Sequence, residues 1–375
     1  MRRIISIVLS LLSAFTLSCA TGQGGSDTRT ITTPNYTYTQ VPKKTSTITI
    51  NMMAGDFHEG LAWIHVNNRE GYINNAGTMV IQPKFEMVGD FYEGLAWIKQ
   101  NGRYGYINKA GTIVIQPQYD IAYDFHEGLA TVRTGNRYGY INRTGQMVIN
   151  PQYVSCGIMS QGLAWARNDM SLEGYIDRKG KTVIVHQFQL ANDFNEGIAS
   201  VKVGNRCGFI NKTGQFVINP QYIACGKFSE GLSWVRDNSN VEGFIDKKGT
   251  YVLPPKWRAC GDFNEGRAWT IDMITGLIGF VDRTGKYAVQ PKYMFTGNFS
   301  QGLARVCFGG YVNNVTKRVD GGRWGFIDKN GSTVIDHIFD DAMDFKGGFA
   351  LVKQGNEWGF INRKGQFIYK SSLWN

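Results

Sequence analysis

Residues 91–117 read FYEGLAWIKQNGRYGYINKAGTIVIQP, and this stretch decides the fold because it is one copy of a unit that recurs along the chain. Its opening phrase, F-x-E-G-L-A, returns with some variation, and its glycine falls at 60, 94, 128, 162, 197, 231, 266, 302 and 348. A second phrase, G-[YF]-[IV]-[ND], follows each copy. The 375 residues are therefore predicted to contain an array of nine repeats.

Length variation is confined to one place in the unit. From each G-[YF] glycine to the next E-G glycine the distance is 23 residues in all eight cases, whereas the preceding gap is 11, 12 or 13 residues and once 23. A segment of constant length is packed, and one of variable length is an exposed loop. The long loop, residues 307–323 in the eighth unit, is either a partner contact or a tolerated insertion. Its candidate contact residues are Phe308, Tyr311, Lys317 and Arg318.

Each unit predicts three short strands, which in the quoted copy are residues 95–99, 104–108 and 112–116. Glycine-containing turns separate them, and 46 glycines against nine prolines in the whole chain indicate many tight turns. Pro117 is expected to end the third strand, which is apolar on both faces and so is expected to be covered on both. Such a meander cannot bury its face alone, so neighbouring units must supply the core.

The residues WGFID at 324–328 and WGFIN at 358–362, together with the recurrent E-G-L-A and V-I-x-P-x-Y phrases, resemble the WG-repeat (KWG) family. The match covers residues 57 to about 370, although the tryptophan is kept only in the last two units. The resemblance implies a β-rich repeat array in a bacterial, often exported protein, and it implies no activity. The expected fold is all-β, an array of nine three-stranded antiparallel β-meander repeats. We favour an open, solenoid-like array with residues 45–51 as a capping strand, and the alternative is a closed, β-propeller-like ring.

The first 45 residues indicate where in the cell the protein is located. Residues 1–19 have a basic start and an apolar run, as a secretory signal does. Cys19 lies in an imperfect lipobox and would be lipidated; the alternative is simple cleavage and a periplasmic or secreted protein. Polar residues 20–45 predict a flexible tether, and residues 46–375 hold nine repeats of about 34–46 residues. Removal of Arg2 and Arg3 lowers the formal charge from +10 to +8, but the charges are interspersed, so no nucleic-acid partner is expected.

One column of the repeat alternates between tryptophan and other residues. Five tryptophans at repeat spacing could form a stacking track for sugar rings or aromatic side chains, or they could fill the core between units. The column consists of Trp63, Trp97, Thr131, Trp165, Ser200, Trp234, Trp269, Arg305 and Leu351.

Two further columns are charged. Cations occupy one turn in eight units and could attract an anionic polymer, or simply be solvated: Lys109, Arg143, Arg178, Lys212, Lys247, Arg283, Lys329 and Arg363. Carboxylates recur as Glu59, Glu93, Glu127, Glu196, Glu230 and Glu265, often with an aspartate three residues earlier. A carboxylate pair permits glycoside hydrolysis, but a catalytic pair is normally unique, which favours a structural role.

Cysteines and histidines give no metal-site spacing, and no cofactor motif is present. The same repeat position holds Cys156, Cys225 and Cys260, so Cys225 and Cys260 in adjacent units could form a disulfide or remain buried thiols. His58 and His126 share a position two units apart, where a loop residue is expected rather than a metal ligand.

These observations predict a non-enzymatic, envelope-anchored repeat scaffold that binds a protein or an envelope glycan and reaches the membrane through lipidated Cys19. The alternative is an envelope hydrolase that uses a carboxylate pair within the repeats. The candidate contacts are the five tryptophans and the eighth-unit loop.

Overall fold

The computed structural model describes residues 32–33, 36–37, 54–312 and 319–370, which form strands and turns without a helix. β1 (Thr32–Thr33) and β2 (Tyr36–Thr37) form a two-stranded ribbon inside the predicted tether. The other strands form nine small antiparallel sheets, the blades of a nine-bladed propeller. No helix in the described ranges is long and apolar enough to cross a membrane. The predicted class, all-β with nine repeats, is confirmed.

The blades follow one another along the chain without exchange of strands. The first three blades contain, for blade 1, β3 (Leu61–Val66), β4 (Arg69–Asn74) and β5 (Met79–Phe85); for blade 2, β6 (Met87–Val88), β7 (Leu95–Gln100), β8 (Arg103–Asn108) and β9 (Ile113–Tyr119); and for blade 3, β10 (Ile121–His126), β11 (Leu129–Thr134), β12 (Arg137–Asn142) and β13 (Met147–Tyr153). The next three contain, for blade 4, β14 (Ser155–Cys156), β15 (Leu163–Arg167), β16 (Glu173–Asp177) and β17 (Thr182–Phe188); for blade 5, β18 (Leu190–Ala191), β19 (Ile198–Val203), β20 (Arg206–Asn211) and β21 (Phe216–Tyr222); and for blade 6, β22 (Ala224–Cys225), β23 (Ser233–Arg236), β24 (Glu242–Ile245) and β25 (Tyr251–Trp257). The last three contain, for blade 7, β26 (Ala259–Cys260), β27 (Ala268–Ile271), β28 (Ile278–Val281) and β29 (Tyr287–Tyr293); for blade 8, β30 (Phe295–Thr296), β31 (Ala304–Val312), β32 (Val319–Ile327) and β33 (Thr333–Phe339); and for blade 9, β34 (Asp341–Ala342), β35 (Phe349–Gln354), β36 (Glu357–Asn362) and β37 (Phe367–Lys370).

Blades 2 to 9 have four strands rather than the three predicted. The additional strand comes first and is usually two residues long; in blade 2 it pairs Val88 with Ile98. In blade 1 it is reduced to a single bridge between Ala54 and Ile64. We call the four strands of a blade, in chain order, the inner, second, third and outer strand.

The outer strand differs from the prediction in two ways. It continues through the proline, because the register jumps from Tyr106 opposite Ile115 to Tyr104 opposite Tyr119, which places Pro117 in a bulge. It is also covered on one face only: Val80 is 44% exposed, whereas Ile81 is buried. The expectation of two covered faces is wrong, because the next blade covers only the Ile81 face, where its turn at Gly111 packs on that side chain.

The core lies between blades rather than within one. At the first junction Tyr72 and Ile81 of blade 1 pack with Phe91 and Ile98 of blade 2. The hydroxyl of Tyr72 donates a hydrogen bond of 2.6 Å to the carbonyl oxygen of Gly89. The same arrangement recurs around the molecule, so each blade completes the core of its neighbour.

Blade 9 packs on blade 1 and closes the ring. The Phe57 ring lies 4.8 Å from the rings of both Phe349 and Phe360, and Lys346 Nζ lies 2.7 Å from Asp56 Oδ2. The favoured open array is therefore wrong, and the alternative, a closed propeller, is confirmed. Side-chain packing closes the ring, because an open array would leave the apolar faces of its first and last units in water. The predicted capping strand, residues 45–51, lies outside the described residues.

Candidate functional site

Antiparallel strands send successive turns to opposite ends of a blade. The E-G turn and the turn at residues 108–111 therefore share one end, which we call the stapled face. The turn between the second and third strands, where all length variation occurs, lies at the other end, which we call the variable face.

Carboxylates and cations of the stapled face join neighbouring blades. Glu59 Oε2 accepts hydrogen bonds from the Gly94 amide and from Lys109 Nζ, both at 3.0 Å. Burial opposes ionisation of Glu59, but these two hydrogen bonds outweigh it and lower its pKa. The same pairing recurs as Glu196–Lys247, Glu230–Arg283 and Glu265–Lys329. The repeated glutamates and the basic column thus hold each other across the junctions.

The junction between blades 9 and 1 lacks this staple on both sides. Blade 1 has Asn75 in place of the cation, and blade 9 has Gly347 in place of the glutamate. A Cβ on Gly347 would lie 2.8 Å from Cβ of Phe57, so a side chain there would collide with the residue that closes the ring. The ion pair of Lys346 with Asp56 takes the place of the staple.

Each tryptophan of the repeat column lies over a glycine eight residues earlier. A Cβ on Gly89 would lie 2.1 Å from Nε1 of Trp97, so the indole occupies the space of the missing side chain. Where the column residue is smaller, the earlier residue is larger. The five pairs with tryptophan are Trp63–Gly55, Trp97–Gly89, Trp165–Gly157, Trp234–Gly226 and Trp269–Gly261, and the compensated pairs are Thr131–Tyr123, Ser200–Asn192 and Leu351–Met343.

The same indoles reach the next blade. Trp97 donates a hydrogen bond to the carboxylate of Asp124, and Trp234 donates to Asp262. Arg305 occupies the column in blade 8, and its Nε donates to Asp344 Oδ1 at 2.9 Å. Three column positions have no indole or guanidinium donor. Around the ring, Thr131 and Ser200 precede Ile158 and Lys227 instead of an aspartate, whereas Leu351 precedes Asp56, which Lys346 pairs instead. Sequence reasoning missed this coupling, although it is visible as covariation between units.

The inner strands and E-G turns surround the axis of the ring. Ring centroids of His58 and Tyr92 are 4.7 Å apart, and those of Tyr92 and His126 are 5.1 Å apart. Nine equivalent points at such spacing lie on a circle of roughly 7 Å radius, which places these residues around a narrow axial channel. The Phe91 ring packs in the blade junction, whereas Tyr92 contacts the two histidines and the Asp90 carboxylate lies 3.5 Å from Nε2 of His58. Tyr92 lies between the two histidines, and no cluster of metal-ligating side chains occurs in the described ranges.

Next to the half-buried indoles, six of the nine equivalent positions hold an aspartate, and we call these six residues the ring of aspartates: Asp56, Asp90, Asp124, Asp193, Asp262 and Asp344. Burial and the neighbouring charges of Asp56 and Asp124 raise the pKa of Asp90 to about 7. Burial raises the pKa of Asp124 to about 6, although the Trp97 hydrogen bond opposes the shift. Burial, together with the charge of Lys346, lowers the pKa of His58, which is therefore neutral at pH 7.

The disulfide differs from the one considered from sequence. Cys207 on the third strand of blade 5 bonds to Cys225 on the inner strand of blade 6, with a Cα–Cα distance of 6.2 Å. The suggested pair of Cys225 with Cys260 is wrong, because Cys260 is a buried free thiol. Cys207 stands where other units place glutamate, tyrosine, isoleucine or tryptophan, and this position faces the inner strand of the next blade rather than the equivalent residue there. Cys156 and Cys307 are free as well.

The long loop of the eighth unit is a projecting hairpin. Its strands β31 and β32 each have nine residues and pair as far as Val312 with Val319. Phe308 packs 4.7 Å from the ring of His337 and 4.8 Å from that of Tyr293, so it belongs to the body of the propeller. Tyr311 is 59% exposed. Lys317 and Arg318 lie outside the described residues.

Exposed apolar side chains mark the variable face beside this hairpin. In the neighbouring loop of blade 7, Ile274 is 94% exposed and Met273 is 50% exposed. The loop is rigid, because the carboxylate of Asp272 accepts hydrogen bonds from the Ile274 and Thr275 amides. These hydrogen bonds fix the conformation of the turn, so the Ile274 side chain is exposed in an ordered loop.

Comparison with known proteins gives a family. The sequence model described as WG containing repeat matches residues 71–104, 104–138, 138–169, 174–207, 208–240, 243–270, 278–311 and 324–358. No curated protein sequence matches the chain. Among solved structures, the designed protein Ika8 aligns with 11% identity and a TM-score of 0.45 over 75% of this chain and 93% of its own. BamB from Moraxella catarrhalis aligns with 10% identity and a TM-score of 0.42 over 77% and 97%. Likenesses this distant carry no functional argument.

Proposed function

The chain belongs to the WG containing repeat family, and we propose that this member is a non-enzymatic binding scaffold of the cell envelope that takes a protein partner on the variable face of blades 7 and 8. The observation that supports the proposal is the exposure of Ile274, Met273 and Tyr311 on adjacent loops of one face. An isoleucine held almost wholly in water is a cost to a monomer, and contiguous exposed apolar groups mark interaction sites. Loops on a rigid scaffold are the usual place for such contacts.

The disulfide supports the envelope part of the proposal. Bonds such as Cys207–Cys225 persist in oxidising compartments, which agrees with the signal-like residues 1–19. Those residues, Cys19 included, lie outside the described ranges, so export and lipidation rest on the sequence alone.

Site-specific photo-crosslinking in cells tests the partner site. A photoreactive phenylalanine analogue at position 274 is expected to give a discrete adduct with another protein. The matched control is position 185, because Val185 is 64% exposed on the outer strand of blade 4, away from the variable face. Equal crosslinking from both positions, or none from 274, would contradict the proposed contact.

A pull-down separates protein from glycan. Full-length chain and an Ile274→Asp, Tyr311→Ser double variant are incubated with envelope extract and with purified peptidoglycan. Loss of one extract protein from the variant, with no retention on peptidoglycan, supports the proposal. If the wild-type chain and the double variant were both retained on peptidoglycan, the ligand would be an envelope glycan that binds elsewhere on the protein.

A further inference from the structure

Three members of the ring of aspartates form ion pairs with basic side chains of the chain itself. Lys346 Nζ lies 2.7 Å from Asp56, Arg305 Nε lies 2.9 Å from Asp344, and Lys227 Nζ lies 3.9 Å from Asp262. At these three positions the chain itself supplies an ammonium or guanidinium group to the carboxylate. The cation comes from a neighbouring unit in every case.

Within the arc formed by blades 1 to 3, the aspartates of blades 2 and 3 lack such compensation. Asp90 and Asp124 form no ion pair with a lysine or arginine of the described chain, and each has a buried carboxylate oxygen without a hydrogen-bond donor. When all three carboxylates are ionised, Asp56, Asp90 and Asp124 carry three negative charges against the one positive charge of Lys346, so two negative charges remain above about pH 7, the pKa of Asp90. Neutral His58, at 3.5 Å from Asp90, does not balance them.

Aromatic rings border the same arc. His58, Tyr92 and His126 follow one another around the mouth of the channel with ring centroids about 5 Å apart. Ring faces attract cations, and a cation between a ring and a carboxylate is held by both. The equivalent position is a serine in blades 4, 6 and 8, and each hydroxyl already donates to a backbone carbonyl oxygen of the next blade: Ser160 to Phe194, Ser229 to Phe263 and Ser300 to Phe345.

We propose that this arc is a binding site for an alkylammonium or guanidinium cation, with Asp90 and Asp124 as its anionic ligands and Tyr92 as its aromatic wall. The side chain of Asp90 is 27% exposed, so a cation can reach it from the channel. The proposal does not depend on the protein contact of the variable face, because the two sites lie at different parts of the ring.

Isothermal titration calorimetry with the full chain tests the site. The probes are n-butylammonium, N-acetyl-lysine amide and N-acetyl-arginine amide, and 1-butanol is the neutral control. Binding of the cations and not of butanol is expected. An Asp90→Asn, Asp124→Asn double variant should bind at least about tenfold more weakly, which corresponds to about 1.4 kcal/mol. The matched control, Asp262→Asn, removes a ring carboxylate elsewhere and should leave affinity unchanged.

Two further measurements test the contribution of the Tyr92 ring and the kind of cation that the site binds. Tyr92→Leu keeps both carboxylates and should still weaken binding, because the cation loses its ring contact; this variant also serves if the double variant does not fold. Tighter binding of the blocked amino acids than of butylammonium would indicate a basic side chain of a partner, and the reverse would indicate a free amine. Absence of binding to wild-type protein, or equal binding to the double variant, would overturn the proposal.

Discussion

Exchange of one tryptophan–glycine pair for another tests the packing of the channel wall. Blade 2 has Gly89 and Trp97, whereas blade 5 has Asn192 and Ser200 at the same positions, joined by a hydrogen bond of 3.0 Å from Nδ2 to Oγ. The perturbation is Gly89→Asn with Trp97→Ser, made singly and together. Gly89 has no positive φ, so asparagine meets only the indole and no backbone strain.

The magnitudes follow from burial. Trp97→Ser removes a half-buried indole, about half of the 3–5 kcal/mol that a fully buried tryptophan contributes, and also a hydrogen bond to Asp124 of about 1 kcal/mol. Gly89→Asn alone places Cβ at 2.1 Å from the indole, which must leave, so it costs about 2–3 kcal/mol for the same loss. The double variant loses the indole only once. It should therefore be less destabilised than the sum of the singles by about 2–3 kcal/mol.

Urea unfolding of the full chain measures the free energy of unfolding of the four proteins. The matched control combines Gly89→Asn with Trp165→Ser, two blades away, where the effects should add within about 0.5 kcal/mol. Additivity of Gly89→Asn and Trp97→Ser would refute the reasoning, because it would mean that the two residues do not share one space.

The remaining predictions concern pH, redox state and address. Burial raises the pKa of Asp90 from 3.8 to about 7, so ionised Asp90 destabilises the fold, and this penalty grows from about pH 4 to about pH 7. Asp90→Asn should be more stable than wild type at pH 8, by up to about 4 kcal/mol, and no more stable near pH 4 in thermal unfolding; equal pH profiles would contradict this. Cys207→Ser should cost about 3 kcal/mol, and non-reducing peptide mapping should link Cys207 to Cys225; a link to Cys260 would show the pairing to be different. Cys19→Ser should release the chain from the membrane fraction, with mass spectrometry of wild type showing an acylated Cys19; unmodified Cys19 or a signal cleaved elsewhere would favour the secreted alternative.

Repeat count and strand positions could be predicted from the sequence because they depend on local patterns. The glutamates of the E-G turns, such as Glu59 with φ 49°, adopt the left-handed conformation that a glycine-flanked turn requires. The fourth strand could not be predicted, since two residues are too few to show a period of two. Pro117 was misleading because a bulge accommodates a proline inside a strand: its nitrogen lies against Gly105 of the third strand, and pairing resumes at Tyr119 beyond the bulge.

The channel and its site could not be predicted while each column was interpreted alone. The role of a side chain in one repeat column depends on the residue that it contacts in a second column. That residue lies eight residues earlier, as Gly89 does for Trp97, or in the next blade, as Asp124 does for Trp97. The arc of uncompensated aspartates exists only after blades 9, 1, 2 and 3 have come together.

The junction between the last and first units is exceptional in the sequence. Asn75 is the exception in the basic column and belongs to the first unit, while Gly347 is the exception in the glutamate column that has neither carboxylate nor amide and belongs to the last. In an open array the first unit has no preceding glutamate and the last unit has no following cation, so both residues would lack a partner there as well, and these two exceptions do not distinguish a ring from an open array. In a ring they are the two halves of one staple, and each loses its purpose when the other is absent. Closure depends instead on side chains that are particular to this junction: the Phe57 ring packs on Phe349 and Phe360, and Lys346 pairs with Asp56 where the staple is missing.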